Sequence, residues 1–105
     1  MVLSSGGKGM KRVDSNQAVI VAVLRAAGAS VVDLHEVGKG CPDVLVGFLD
    51  KNYLIEIKAA GGRYTDAEVK FAENWRGQVD TARTPSEALA IIGAEEYVFN
   101  GEGIA

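Results

Sequence analysis

Two short apolar runs, Asp43-Val44-Leu45-Val46-Gly47-Phe48 and Tyr53-Leu54-Ile55-Glu56-Ile57-Lys58, each carry ionised side chains at one end. Runs of this length, rich in β-branched residues and bounded by polar or small residues, read as strands. The break between them, Asp50-Lys51-Asn52, suits a hairpin turn. Side chains two apart on a strand face the same way, so Glu56 and Lys58 project together with Leu54 before them. If the hairpin sets Asp43 at the same end, two carboxylates and an ammonium meet on one small patch. A lone charge at such a place is costly to bury, so something must compensate it.

The rest of the chain supplies a frame for that patch. Residues 1–12 (MVLSSGGKGMKR) have no apolar period and read as a flexible basic arm. Asp14 and Gln17 open a helix expected over 14–27, with Arg25 in its last turn and Gly28 as its cap; a strand is the competing reading. Because Val19, Ile20, Val21, Val23 and Leu24 leave little polar face, burial on more than one side, or by a second subunit, is expected. Ser30 to Glu36 reads as the first strand, interrupted by Gly38-Lys39-Gly40. Thr65 and Glu68 form a capping box for a helix over 65–76, with Ala67, Phe71, Ala72 and Trp75 on one face. Gln78 to Ala82 reads as a fourth strand. Thr84-Pro85-Ser86-Glu87 combines an N-cap, a proline at the first helical position and a reciprocal glutamate, opening a third helix to Ile92. The order is α-β-β-β-α-β-α, an α/β fold with a mixed sheet flanked by helices. The expected division is an arm at 1–12, one domain at 13–93 and a tail at 94–105, whose Tyr97-Val98-Phe99 finds no place in this scheme.

Length and composition narrow the function. A chain of 105 residues supports one domain, able to bury roughly two-thirds of its unfolded surface without disulfides. Its single cysteine, Cys41, and single histidine, His35, exclude a Cys/His zinc cluster within one chain. No apolar stretch is long enough for a membrane span and the first dozen residues lack a signal-peptide core, so a cytoplasmic protein without a membrane partner is expected. The net charge of -3 is uneven: Lys8, Lys11 and Arg12 lie at the start, and without Glu95, Glu96 and Glu102 near the end the balance is zero. A nucleic-acid partner is therefore open, because phosphate binding depends on local basic surface.

Carboxylates as close as Asp43 and Glu56 repel unless a proton or cation lies between them. All-oxygen ligands favour a hard ion such as Mg2+ or Mn2+. The ligand set would be Asp43, Glu56 and the backbone carbonyl of Ile57, and the ion would lower the pKa of a bound water. Lys58 would orient that water or stabilise negative charge developing on a phosphoryl group.

At these residues the sequence resembles the PD-(D/E)XK nuclease superfamily, and within it the small stand-alone VRR-NUC domains of bacteriophages. The matching text is the helix from Asp14, HEVGKGCPDVLVGF (35–48), NYLIEIKA (52–59), Thr65-Asp66 and WRGQV (75–79). The resemblance implies a restriction-endonuclease-like core and a metal-dependent endonuclease acting on DNA, with Asp43 and Glu56 as metal ligands and Lys58 as the catalytic lysine. It also implies a polar residue beside the site at Gln78 to position water or phosphate. A homodimer selective for branched DNA, in the manner of Holliday-junction resolvases, follows from the same likeness. Many relatives carry a further acid in the leading helix, where this chain offers only Asp14.

Each residue also has a plainer reading. Asp43 suits a turn after proline, and Glu56 with Lys58 suits a cross-strand ion pair on an exposed face, although Leu54, Ile55 and Ile57 around them argue for burial. His35 reads as a core or rim histidine more readily than as a general base. Lys39 in its glycine loop, Arg63 and Tyr64 before the second helix, and Lys11 and Arg12 in the arm are the expected DNA contacts. A flexible turn is the alternative for Lys39. Lys70 and Arg76 read as a solvated face, Trp75 as core and Cys41 as a small buried hydrophobe. A competing function is a nucleic-acid-binding module, or a phage assembly module, of the same fold without hydrolysis.

Overall fold

A computed structural model describes residues 8–94, with side chains from residue 16 onward. Residues 1–7 and the tail from 95, including Tyr97-Val98-Phe99, lie outside the described residues. The elements run α1 (Lys8–Ala26), β1 (Ser30–Asp33), a 3-10 turn (His35–Val37), β2 (Val44–Phe48), β3 (Lys51–Ile57), α2 (Asp66–Asn74), β4 (Asp80–Ala82) and α3 (Pro85–Ile92). The four strands form one mixed sheet in the order β1-β2-β3-β4, antiparallel except for the parallel β3–β4 pair. Among the described residues no helix is long and apolar enough to cross a membrane.

The β2–β3 hairpin fixes the register of everything that follows. Phe48 pairs with Lys51, so the turn is the two residues Leu49 and Asp50, both at positive φ (51° and 67°). That is the type I′ geometry whose twist matches the flanking strands. Lys51 and Asn52, expected in the turn, are therefore strand residues. With the pairing set, Val44, Val46, Phe48, Tyr53, Ile55 and Ile57 share one face. Ile20 and Leu24 of α1 and Ala88, Leu89 and Ile92 of α3 close the core against it.

Three expectations need correction. The first helix starts at Lys8 rather than near 14 and so takes in residues 8–12 of the expected arm. Among the described residues it buries one stripe, Ile20 and Leu24 with Val21 and Val23 beside them, and leaves Val19 exposed, so of the burial expected on more than one side the described residues supply one side. The first strand stops at Asp33, because the Asp33 carboxylate accepts the His35 N–H and turns the chain into the 3-10 turn. Gly28 at φ 102° ends α1 as expected, and the Ala29 N–H reaches back to the Leu24 carbonyl.

The capping box of Thr65 and Glu68 forms as read from the sequence. Thr84 also caps α3, but Glu87 accepts the Arg83 N–H at 2.6 Å, one residue earlier than the reciprocal bond would require. The second helix lies across the other sheet face from α1 and α3 and has no buried residue. Its position depends on close backbone contact with the loop before β2. A Cβ on Gly40, which has φ 79°, would stand 2.1 Å from the Ala67 carbonyl oxygen. Gly40→Ala is expected to lower stability by about 1–3 kcal/mol, through overpacking and left-handed strain together. Thermal denaturation matching wild type would show that the loop and α2 do not touch in this way.

Candidate functional site

Asp43 is positioned from both sides of its backbone. Pro42 before it is fully buried, its own carbonyl accepts the Leu34 N–H at 2.8 Å, and its carboxylate Oδ2 accepts the Ile57 N–H at 2.7 Å. Because Val44 pairs with Ile55, Asp43 stands opposite Glu56, and each carboxyl group acts on the ionisation of the other. The Asp43 side chain thus takes up an N–H that lies two residues past the last β2–β3 pair, which explains why an acid follows Pro42.

Glu56 is the buried polar residue of the described chain, 6% exposed. Burial, then the neighbouring Asp43 charge, then Glu68 push its pKa from an ordinary 4.5 up to about 8. Burial raises Asp43 as well, against the opposing help of the Ile57 N–H. The pair therefore holds a proton near neutrality, the simplest way for a buried and a half-buried carboxyl group side by side to avoid like-charge repulsion.

Lys58 completes the group. Its Nζ lies 2.8 Å from Glu68 Oε1 and 3.5 Å from Glu56 Oε2, with lysine and Glu68 both largely enclosed. Burial works against the ammonium, but Glu68 and Glu56 outweigh it and hold the Lys58 pKa above the ordinary lysine value. Burial likewise opposes the Glu68 charge, and hydrogen bonds from Lys58 and the Thr65 N–H overcome it, lowering that pKa. The backbone at Lys58 is tied on two sides: its N–H donates to the Ala82 carbonyl and its carbonyl accepts from Asn16 Nδ2 at 3.1 Å.

Glu68, Asn16 and Arg83 also belong to this assembly, beyond the site residues expected from the sequence. Glu68 carried a visible signal, since a capping-box carboxylate in the helix after the E-x-K strand points back toward that strand's end. Arg83 donates to the Ala59 and Gly62 carbonyls at 2.8 and 3.0 Å and so fastens the loop beside Lys58. Nothing in the sequence marked it.

The other expected residues divide. The Tyr64 hydroxyl and Thr81 Oγ1 are 2.7 Å apart, and the Tyr64 ring has Lys58 Nζ 5.8 Å and the Arg83 guanidinium 5.9 Å from its centre. That places Tyr64 at the mouth of the site. Arg63 beside it is exposed. Lys39 lies on the outer side of α2 rather than among the trio. Lys11 and Arg12 belong to α1, and their side chains lie outside the described residues.

Gln78 does not present a free amide to the site. Its Oε1 accepts the Leu54 N–H and its Nε2 donates to the Leu54 carbonyl, each at 2.8 Å, with a further bond to Asp80 at 2.9 Å. The side chain extends the β3–β4 ladder, and both ends of the amide are spent there. His35 is exposed with Nδ1 3.0 Å from Asp33 Oδ1. Cys41 is a free, half-buried thiol whose pKa is raised by burial and then by Glu56 and Asp43, so it stays protonated.

A cleft of about 240 Å³ opens between α2 and the sheet, with Glu56 and Thr81 on the sheet side and Glu68, Val69 and Phe71 on the helix side. Among the described residues no three His, Cys, Asp or Glu side chains are placed to hold a metal ion. A cation here would rest on Asp43, Glu56 and backbone oxygen. The chemistry of this donor set fits a hard divalent ion, because both side-chain ligands are carboxylates that otherwise require a shared proton. Comparison with family models, curated proteins and solved structures gave no match to this chain.

Proposed function

We propose that the chain is a Mg2+- or Mn2+-dependent DNA endonuclease of the VRR-NUC type, with a restriction-endonuclease-like core, acting on branched DNA such as Holliday junctions. The observation that carries this reading is the half-buried Asp43 opposite the buried Glu56, with Lys58 two residues along the same face. A structural ion pair on an open sheet would need neither the burial nor the second carboxylate.

In this reading Asp43, Glu56 and the Ile57 carbonyl hold the ion, which supplies a water of lowered pKa. Asp43 keeps its geometry through the Ile57 N–H, which fixes one carboxylate oxygen and leaves the other for the ion. Lys58 faces the same opening and donates to a phosphoryl oxygen as charge builds there. Glu68 sets the direction of the ammonium and Tyr64 covers it from solvent. The exposed Val19 on α1 supports a homodimer that covers this face, which light scattering at micromolar concentration would detect.

The test is incubation of the purified protein with supercoiled, linear and four-way-junction DNA, each with magnesium, with manganese and with chelator. Metal-dependent cleavage, fastest on the junction, is the expected result. The Lys58–Glu68 pair favours a second reading, since it neutralises the lysine as a purely structural cluster would. A module that binds but does not cut would shift the junction in a gel and leave every strand intact in all three conditions.

A further inference from the structure

A second groove lies on the outer side of α2, lined by Lys39, Ala67, Lys70, Phe71, Asn74 and Trp75, with a volume of about 480 Å³. Trp75 was expected in the core. It is instead 45% exposed among the described residues, with its indole stacked on Phe71 at 5.1 Å between ring centres and 17° between planes. Gly77 makes room for this pose, because a Cβ there would stand 2.9 Å from the indole Nε1.

The charges around the indole are of one sign. Both lysines are exposed, neither forms an ion pair among the described residues, and no carboxylate lines the groove. Lys39 is held in a left-handed turn (φ 57°) between two glycines, and Gly40 locks that turn against the α2 backbone. The lysine is therefore carried on a fixed loop.

We infer that this groove binds an unpaired nucleotide of a nucleic-acid strand, with the base stacked on Trp75 and the adjoining phosphates on Lys39 and Lys70. An aromatic face beside unpaired lysines is the chemistry of single-strand binding, where every base offers a π surface and the backbone is met by charge. A protein partner fits less well, since lysine is depleted from the centres of protein interfaces. Phe71 lines both this groove and the cleft that holds Glu56. A strand in the groove thus runs beside the helix that also walls the cleft holding Glu56. This inference rests on the nucleic-acid reading above and narrows it to DNA with unpaired bases beside the cut.

Trp75 is the single tryptophan of the chain, so its fluorescence reports on the groove directly. The intact protein is titrated in chelator, where no cleavage occurs, with a labelled 12-residue oligothymidylate and with a blunt duplex of the same length. The single strand quenches Trp75 saturably and the duplex does so far less. By anisotropy of the label, Trp75→Leu weakens single-strand binding about fivefold to a hundredfold, whereas Trp75→Phe retains most of it. Lys39→Ala and Lys70→Ala each flatten the dependence on salt by roughly 0.7 in log–log slope. Circular dichroism verifies that each variant is folded. Binding by Trp75→Leu equal to wild type overturns the inference. So does fluorescence that ignores the oligonucleotide and changes only with protein concentration, which would mark a contact between two copies. Binding as described without cleavage in metal would overturn the nuclease reading alone, and cleavage without quenching would overturn this one alone.

Discussion

If the proposed nuclease reading holds, Asp43→Asn is expected to lower metal-dependent cleavage by on the order of a thousandfold while the protein stays folded, because the substitution separates the two tasks of this side chain. The amide oxygen still accepts the Ile57 N–H, so the end of the β2–β3 ladder is kept. What is lost is the negative charge that a hard cation requires. Asp43→Ala would be a poorer test, since it leaves that N–H unpaired and mixes a stability loss of about 1–3 kcal/mol into the result. Lys58 needs similar care. Replacing it by methionine leaves Glu68 and Glu56 facing each other with no cation between them, and breaking an enclosed pair from one side destabilises strongly. The informative comparison is Lys58→Met/Glu68→Gln against Glu68→Gln alone. Both lack the Glu68 charge, and only the first lacks the ammonium. The ratio of their cleavage rates is expected near a hundredfold to a thousandfold, the cost of removing one fixed donor from a transition state. Single-turnover rates on junction DNA, with circular dichroism beside them, provide the measurement. Wild-type rates in both Asp43→Asn and the double variant would sink the assignment of the site.

The meeting of Asp43 with Glu56 was legible in the sequence because it depends only on strand periodicity and a short turn. A slip of one residue would have put Asp43 on the α1 face, and the apolar positions 44, 46, 53, 55 and 57 forbid that slip. The turn itself was placed one residue late. The polar residues Asp50-Lys51-Asn52 have turn chemistry, whereas the chain turns at Leu49-Asp50, using a leucine at positive φ where leucine is uncommon. Helix starts are readable where a side chain does the capping, as at Thr65 and Thr84. The assembly beyond the trio was harder to see. Gln78, Arg83 and Asn16 act on backbone groups 21 to 42 residues away, and such bonds leave no local pattern. Trp75 was misplaced for a related reason: a periodic apolar face predicts burial only if a neighbour covers it, and α2 is held at its N-terminal end by Gly40 and Lys58 rather than along its length.

Metal-free protein should lose stability as the pH rises from 5.5 to 8.5, and Glu56→Gln should remove most of that loss. The Glu56 pKa is raised in the folded chain, from 4.5 to about 8, so between those values the folded state holds a proton that the unfolded state has released. A group of this kind contributes stability that is complete below pH 4.5 and disappears as the pH passes about 8. Asp43, also raised, adds to the same slope. Glu68, whose pKa is lowered, and Lys58, whose pKa is raised above its ordinary 10.5, act below and above this window and do not cancel it. The part of the displacement between pH 5.5 and about 8 corresponds to on the order of 3 kcal/mol, or roughly 12–20 °C in Tm for a domain of this size. Glutamine presents the shape of the protonated carboxyl and cannot ionise, so at pH 8.5 in chelator Glu56→Gln should melt above wild type. At pH 5.5 the two should be close. Adding manganese should restore wild type at pH 8.5 and leave Glu56→Gln little changed, because the ion takes over the proton's role only where two charged carboxylates are present to receive it. Parallel melting curves for the two proteins across this range would mean that Glu56 ionises freely in the folded chain, and with it the argument for a shared cation would fail.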